Sequence, residues 1–303
     1  MAPLDGSLFL SASVVSLPLA QAPPVVPYDG YGSASVFARL PREVVDAGVD
    51  GEGWVSGLLW ERVGERSIWR VQRLTPEGRM DASWPVELPP GQSPFSMLVE
   101  PGGDALVVFQ HTVQRYDRNG HRVGAWDSPW DTSTSDMALW GDGGLVVSFP
   151  SLNMIALFAR DGTLQQQLKQ FEGTPGKFYL PRAVAVSPQN DLVVIQDDGT
   201  AIVFQNPDDQ WRPTFVRTFR VDFGVLPLNA RGAVFDGPDR LLVPDPSAPT
   251  PLVYNLQGQR LMAAIPERDL SQKGMGPFHL FRLATDRLYA VDRFSNAIWS
   301  IGR

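Results

Sequence analysis

The chain has 303 residues, of which 43% are hydrophobic and 19% charged, with a net charge of −7 and a pI near 5.0. An acidic chain without a basic run does not match the phosphate backbone of nucleic acids, so we expect no nucleic-acid-binding surface. The absence of cysteine excludes disulfides, thiolate zinc sites and cysteine nucleophiles, and the 28 Gly and 27 Pro favour strands and turns over helices.

The first 32 residues predict a leader and connector ahead of a single domain over residues 33–303. Residues 8–20 are apolar, and Ala20-Gln21-Ala22 resembles a signal-peptide cleavage site. The preceding residues include Asp5 and neither Lys nor Arg, which favours the alternative of a disordered or strand-forming leader. We expect a periplasmic or secreted protein, or a cytoplasmic one if the leader is not a signal peptide. Because no apolar run reaches the ~18–20 residues of a spanning helix, no membrane span is predicted.

The first strand is predicted over residues 35–40 (SVFARL), and from there the chain repeats every 40–50 residues or so. Each unit has an apolar strand, a turn, a second apolar strand and a third strand, and many units add a Gly hairpin and a fourth strand. Residues 163–171 have helical propensity but occupy a fourth-strand position, so we interpret them as strand. The predicted second strands begin at Trp54, Leu106, Leu145, Leu192, Leu241 and Leu288.

Six such units of four short strands predict an all-β protein, a six-bladed β-propeller of antiparallel blades. The last unit ends at Arg303, directly after its third strand, and therefore lacks an outermost strand. The unpaired strand at residues 35–40 can supply it. Closing the ring in this way, with both ends of the chain in one blade, removes the open sheet edges of an unclosed array.

The fourth unit carries the most specific residues. Its segment GTPGKFYLPRAVAVSPQNDLVVIQDDGTAIVFQ, residues 173–205, resembles an NHL repeat, with a Pro-Gly-x-Phe lead-in and a Pro before the inner strand. LYAVDRFSNAIWSI, residues 288–301, is similar to the second half of such a repeat. The other units keep only the spacing. The resemblance implies a six-bladed NHL-like propeller, a group that includes protein- and RNA-binding modules and a few enzymes, so it does not select a function.

Polar residues recur just before the inner strands and just after the second strands, where both groups reach the same mouth of the central channel. In the first unit, the residue that matches the position before the inner strand is Val45. Such a mouth could orient a carboxylate or a polar peptide group; alternatively, these residues are solvated strand starts and Asp–Arg pairs that tie blades together. The predicted ligand-binding residues are Ser96, His111, Asp136, Arg182, Asp197, Arg231, Asp245, His279, Asp292 and Arg293.

No catalytic residue, metal ligand or cofactor is predicted. The three histidines, His111, His121 and His279, do not stand at metal-ligand spacing. An oxygen-ligated Ca²⁺ held by Asp197, Asp245 and Asp292, which come from different blades, together with channel waters, is the alternative. Six-bladed lactonases of the gluconolactonase type use such a site, but the Glu-Gly-Pro-x-Trp-like and Pro-Asp-Gly motifs expected of them are absent from this chain.

The nine tryptophans are expected mainly to pack between blades, although Trp126, Trp130 and Trp211 fall at turns or strand ends, where aromatic residues often anchor partners. We therefore predict a non-catalytic module that binds a protein, peptide or glycan partner through the channel mouth and its loops. The alternative is a lactonase-like hydrolase or lyase with a divalent cation in the channel.

Overall fold

The short apolar runs of the chain form strands β1–β24, with a single 3₁₀ helix at Pro150–Leu152 among the described residues. The computed structural model describes residues 33–130, 132–141, 143–170, 176–205, 212–223, 231–245, 251–261, 280–284, 287–292 and 295–302. Within these ranges the strands form six four-stranded antiparallel sheets. None of the described segments is a helix long and apolar enough to cross a membrane.

The first three blades follow one another along the chain, and each runs from an inner to an outer strand. Blade 1 contains β2 (Glu43–Val49), β3 (Val55–Val63), β4 (Arg66–Leu74) and β5 (Met80–Pro85). Blade 2 contains β6 (Ser96–Val99), β7 (Ala105–Val108), β8 (Thr112–Tyr116) and β9 (Arg122–Asp127). Blade 3 contains β10 (Met137–Trp140), β11 (Gly144–Phe149), β12 (Met154–Phe158) and β13 (Leu164–Leu168), so the helix-prone segment after Asp161 is a strand as predicted.

The remaining blades repeat this arrangement, except that the last one takes its outer strand from the other end of the chain. Blade 4 contains β14 (Pro181–Val186), β15 (Leu192–Gln196), β16 (Thr200–Gln205) and β17 (Thr214–Arg220). Blade 5 contains β18 (Val234–Phe235), β19 (Arg240–Val243), β20 (Leu252–Asn255) and β21 (Arg260–Leu261). Blade 6 contains β22 (Leu280–Ala284), β23 (Arg287–Asp292), β24 (Ala297–Gly302) and β1 (Ser33–Arg39).

Strand β1 closes the ring, which confirms the prediction from the missing outer strand. It pairs antiparallel with β24, from Ser33 opposite Gly302 to Arg39 opposite Ala297. The backbone N–H of Leu40 also donates to the carbonyl oxygen of Asn296, at 2.9 Å. The closing segment thus covers the edge of β24, which would otherwise expose unpaired backbone groups.

The hydrophobic core is divided into clusters that each join two neighbouring blades. Successive residues of one strand serve different clusters, because side chains alternate between the two faces of a sheet. Leu58 packs against blade 2, for example, whereas Leu59 packs against blade 6. A blade therefore buries both faces only when it has a neighbour on each side, which requires the closed ring.

Glycines in the hairpins between third and fourth strands form a second repeated contact between blades. Gly120 of blade 2 lies under the ring of Trp84 in blade 1, and Gly162 of blade 3 lies under the ring of Trp126 in blade 2. Gly258 makes the same contact with Phe219. A β-carbon at any of these glycines would overlap the aromatic ring. Trp126 is therefore a packing residue between blades, as the sequence favoured, and Trp130 likewise packs edge-on against Phe149 at 4.9 Å between ring centroids.

Replacing Gly162 by alanine is expected to destabilise the propeller by about 2–4 kcal/mol, measured by urea denaturation. Its φ of 88° costs an alanine about 1 kcal/mol, and overlap with Trp126 adds about 1–3 kcal/mol. Gly64→Ala is the matched control, because Gly64 has a φ of 62° and no heavy atom lies within 4 Å of the position that its β-carbon would take. Equal losses in the two variants would mean that the Trp126 contact contributes nothing.

Candidate functional site

The inner strands surround a central channel that has two different mouths. At the lower mouth, where the inner strands end, a cavity of about 490 Å³ has mostly apolar walls, including Val49, Val99, Leu139, Val186 and Phe235. Burial raises the pKa of the Asp191 carboxyl, in the hairpin next to this mouth. At the upper mouth, where the inner strands begin, the walls are polar. Of the residues predicted to bind a ligand, Arg182 and Arg231 line a cleft at this upper mouth.

The pairing register corrects two sequence assignments at the upper mouth. In blade 4, Ala183 pairs with Ile195, three residue pairs from Val186–Leu192, so Ala183, and not Arg182, is the counterpart of Ser96. Asp46 pairs with Leu58, and this pair is three residue pairs away from Val49–Val55, the pair next to the hairpin. Ser96 pairs with Val108 in the corresponding place of blade 2, three residues from the pair Val99–Ala105. Asp46, and not Val45, is therefore the counterpart of Ser96. The register shifts between Val44 and Asp46, which leaves Val45 as an extra residue that the regular spacing did not predict.

The Asp46 carboxylate joins blades 1 and 2. Its Oδ2 accepts a hydrogen bond from the Ser96 hydroxyl at 2.7 Å and another from the backbone N–H of Met97 at 2.8 Å. Its Oδ1 accepts from the N–H of Ala47 at 2.7 Å. Asp46 and Ser96 are both buried, at 5% and 4% exposure. Ser96 therefore acts in the contact between blades rather than at the solvent-facing surface of the mouth.

Asp136 makes the equivalent contact two blades further round the ring and extends it. Its Oδ2 accepts from the backbone N–H of Val184 in blade 4, at 3.2 Å, and from that of Gly232 at the start of blade 5, at 3.0 Å. Its own N–H donates to the hydroxyl of Ser148, at 3.0 Å. Asp136 is 3% exposed. One buried carboxylate thus connects three blades beneath the upper mouth.

Above this network lies a solvent-open cleft of about 390 Å³, which we call the upper cleft. It is formed where the connections into blades 3, 4 and 5 meet. Its lining residues are Thr132, Ser133, Thr134, Ser135, Pro150, Ser151, Leu180, Arg182 and Arg231. The described lining contains two guanidinium groups and several hydroxyls but no carboxylate. The described lining of the upper cleft therefore presents two cationic side chains and hydrogen-bonding hydroxyls on an acidic protein.

The two arginines of the upper cleft differ in their partners. Arg182 donates from Nε to Oδ1 of Asp197 at 2.8 Å, and both side chains are partly buried. This pair brings together two of the predicted residues, one before an inner strand and one after a second strand. Arg231 is exposed and has no ion-pair partner within the described part of the chain. The cleft thus has one neutralised and one uncompensated cation.

Leu180, which lines the upper cleft, has a φ of 44°, an unfavourable conformation for a bulky residue. Two contacts hold it there. Its N–H donates to the side-chain oxygen of Asn153 in blade 3 at 2.8 Å, and its carbonyl accepts from the N–H of Asp197 at 3.1 Å. Backbone strain of this kind costs about 1–3 kcal/mol and is concentrated at functional sites. The strained turn directly precedes Pro181 and Arg182, and so fixes the backbone next to the Arg182 guanidinium.

The other described residues of the predicted set are not part of the lining of the upper cleft. His111 is in the turn between β7 and β8, where its N–H donates to Oε1 of Gln92 at 3.0 Å. Asp292, at the end of β23, accepts from the Ser295 hydroxyl at 2.5 Å. Asp245 is buried after β19 in blade 5. His279 and Arg293 are outside the described residues, as are Trp211 and the leader.

No group of three or more His, Cys, Asp or Glu side chains that could hold a metal ion occurs in the described ranges. Asp197 is paired with Arg182, and Asp292 accepts from Ser295. These were two of the carboxylates considered for a Ca²⁺ site. The described carboxylates of the upper mouth are therefore used in contacts within the fold.

Sequence reasoning missed Asp46, the hydroxyl segment Thr132–Ser135, Ser151 and Leu180. The segment TSTS was visible as a polar run before an inner strand. Asp46 was detectable too, since it stands four residues before the hairpin residue Asp50, as Ser96 stands four before Glu100. The position of Ser151 beside Thr132, by contrast, depends on the fold.

The fold and the upper cleft define a six-bladed β-propeller with a polar channel mouth that carries both arginines and carboxylates. Three-dimensional comparison finds many similar propellers. A streptogramin B lyase is 12% identical with a TM-score of 0.60, covering 89% of this chain and 97% of the lyase. A catalytically inactive virginiamycin B lyase from Staphylococcus aureus with quinupristin is 11% identical with a TM-score of 0.59, covering 89% and 99%. Raptor from Chaetomium thermophilum is 11% identical with a TM-score of 0.59, covering 88% of this chain and 28% of Raptor.

These likenesses extend to the fold alone, because the identities are too low to carry a function. In sequence, no family model matches the chain, and no curated protein matches it either. The propeller architecture is thus shared with lyases and with part of a much longer protein.

Proposed function

We propose that this chain is a non-catalytic binding module whose upper cleft and surrounding loops receive a peptide segment of a protein partner. The observation that supports this most directly is the upper cleft itself. It is open, lined by guanidinium and hydroxyl groups, and lies over carboxylates that are already hydrogen-bonded between blades. Groups that donate hydrogen bonds from fixed positions suit recognition of peptide oxygens.

We further propose that the propeller is of the NHL type. The support is the Pro-Gly-x-Phe lead-in of blade 4, with Phe178 buried against blade 3 and Pro181 opening the inner strand. The apolar leader with its Ala20-Gln21-Ala22 pattern supports a periplasmic or secreted location.

The lactonase-like or lyase-like alternative needs three or more oxygen ligands around one divalent cation. In the described part of the chain, Asp197 and Asp292 already have partners. The similarity to the streptogramin and virginiamycin B lyases supports this alternative only at the level of architecture. Binding is therefore the better-supported proposal.

A thermal-shift screen separates the two functions. We expect Ca²⁺, Mn²⁺ and Zn²⁺ at millimolar concentration to leave the melting temperature within about 1 °C of the metal-free value, because a ligand stabilises a protein only when it binds the native state. On an array of immobilised random tetrapeptides, the labelled protein should bind a subset of sequences.

A large rise in melting temperature with one cation, reversed by a chelator, would favour the enzyme. Binding to a glycan array together with no binding to any peptide would contradict a peptide-binding module. The chelator-treated protein is the control for metal carried through purification.

A further inference from the structure

The charges of the upper cleft indicate what kind of chemical group it takes. Resting on the proposed binding function, we propose that the upper cleft binds a carboxylate of a peptide partner, with Arg231 as its main charged contact and Arg182 as a second donor. Guanidinium groups match the planar carboxylate with two parallel hydrogen bonds.

The balance of charge favours a monoanion. Asp197, 2.8 Å from Nε of Arg182, neutralises that arginine and leaves the remaining N–H groups of its guanidinium as donors without net charge. Arg231 is the arginine of the described lining without an ion-pair partner there, and it stands next to Gly232, whose N–H donates to the buried Asp136 carboxylate. A carboxylate carries one negative charge, whereas a phosphate monoester carries about 1.5 to 2 at neutral pH. The dianion would leave part of its charge unpaired in this cleft.

The neutral donors complete the site. Thr132, Ser133, Thr134 and Ser151 place hydroxyl groups on the blade 3 side, opposite the arginines of blades 4 and 5. Hydroxyl groups donate to either oxygen of a carboxylate and also accept from a peptide N–H. The contact between the hydroxyls of Thr132 and Ser151 holds two of them in place across neighbouring loops. The cleft can therefore bind both the carboxylate oxygens and a neighbouring N–H group of a peptide.

The size of the cleft limits how much of the ligand enters it. A volume of about 390 Å³ corresponds to roughly a dozen water molecules at about 30 Å³ each. That space accommodates the last residues of an extended chain or one acidic side chain with its neighbours. Both sources present the same carboxylate, and the experiment distinguishes them.

The probe is a tetrapeptide library prepared in four forms: with a free C-terminal carboxylate, with an amidated C-terminus, amidated with one Asp or Glu, and amidated with one phosphoserine. We expect binding in the free-carboxylate form or in the Asp/Glu form, with affinity at least tenfold higher than for the neutral amidated form. The better of these two forms identifies the source of the carboxylate.

Variants then assign the contact to Arg231. Arg231→Ala should weaken binding of the selected acidic peptide about ten- to a hundredfold, and Arg231→Lys, which keeps the charge but loses the planar fork, should weaken it less. Arg217→Ala is the matched control, because Arg217 is an exposed arginine on the outer strand β17; it should bind as the wild type does. Asp197→Asn adds an uncompensated cation, and should raise phosphoserine-peptide affinity relative to that of the carboxylate peptide.

Each result bears on a separate statement. If neutral amidated peptides bind as tightly as acidic ones, or if Arg231→Ala behaves like Arg217→Ala, the carboxylate inference is wrong while the binding function stands. If wild-type protein prefers the phosphoserine form tenfold, the ligand is a phosphopeptide and the inference is wrong in its charge. If no peptide of any form binds, the proposed function itself fails.

Discussion

A polypeptide of residues 41–303 should melt roughly 10–20 °C below one of residues 33–303, and should aggregate at concentrations where the longer one stays monomeric. The shorter chain lacks β1 and Leu40, and so loses the pairing from Ser33–Gly302 to Arg39–Ala297. It also loses the buried side chains of Ala34 and Leu40. Together these contribute about 4–8 kcal/mol, and 1 kcal/mol corresponds to about 2–4 °C for a domain of this size.

The aggregation follows from geometry. Without β1, strand β24 becomes an edge with unpaired backbone N–H and C=O groups, which recruits strands of other chains. Supplying residues 33–40 as a synthetic peptide should restore part of the lost melting temperature, and a peptide with the same residues in scrambled order should not. Indistinguishable melting temperatures for the two polypeptides would mean that the ring is held without the closing strand.

Replacing Asp136 by alanine should reduce the free energy of unfolding by about 3–5 kcal/mol. The variant leaves the buried N–H groups of Val184 and Gly232 without their carboxylate partner, and each unsatisfied buried donor costs about 1–3 kcal/mol. Asp136→Asn should lose roughly half as much, because one carbonyl oxygen remains to accept a hydrogen bond. Urea denaturation at neutral pH measures both losses.

Asp239→Ala is the control, since Asp239 is an exposed carboxylate in the turn between β18 and β19. It should change stability by no more than about 0.5 kcal/mol. Asp46→Ala, which removes the equivalent contact between blades 1 and 2, should resemble Asp136→Ala. If Asp136→Ala costs no more than the surface control, the carboxylate does not connect the blades, and the upper mouth would need another explanation for its buried acids.

Much of the architecture was accessible to prediction because each blade repeats the same local signals. Apolar runs of alternating residues, interrupted by Gly hairpins such as those at Gly120 and Gly162, specify short antiparallel strands whatever their neighbours are. Since a blade has two apolar faces, repetition of the unit also predicts that blades stack. The missing fourth strand of the last unit then predicts closure by the N-terminal strand, as β1 and β24 confirm.

The candidate site was predictable only in part. The rule that polar residues stand at strand starts selected Arg182 and Arg231, which line the upper cleft, and it put Ser96 and Asp136 in one class with these arginines. In the fold, Ser96 and Asp136 are buried and bonded between blades, whereas Arg231 is exposed in the upper cleft. Sequence position gives the height of a residue along the channel and not the direction of its side chain.

The residue pattern alone determined the strands, their number in each blade and the need for a closed ring, because these depend on local turn chemistry and on the alternation of apolar side chains. Only the tertiary structure decided that the Asp136 carboxylate reaches Gly232 two blades away, and that Arg182, Arg231 and the hydroxyls near Ser151 share one cleft. Those contacts join segments up to 96 residues apart in the chain. They depend on how the blades are placed around the axis, which no short-range spacing encodes.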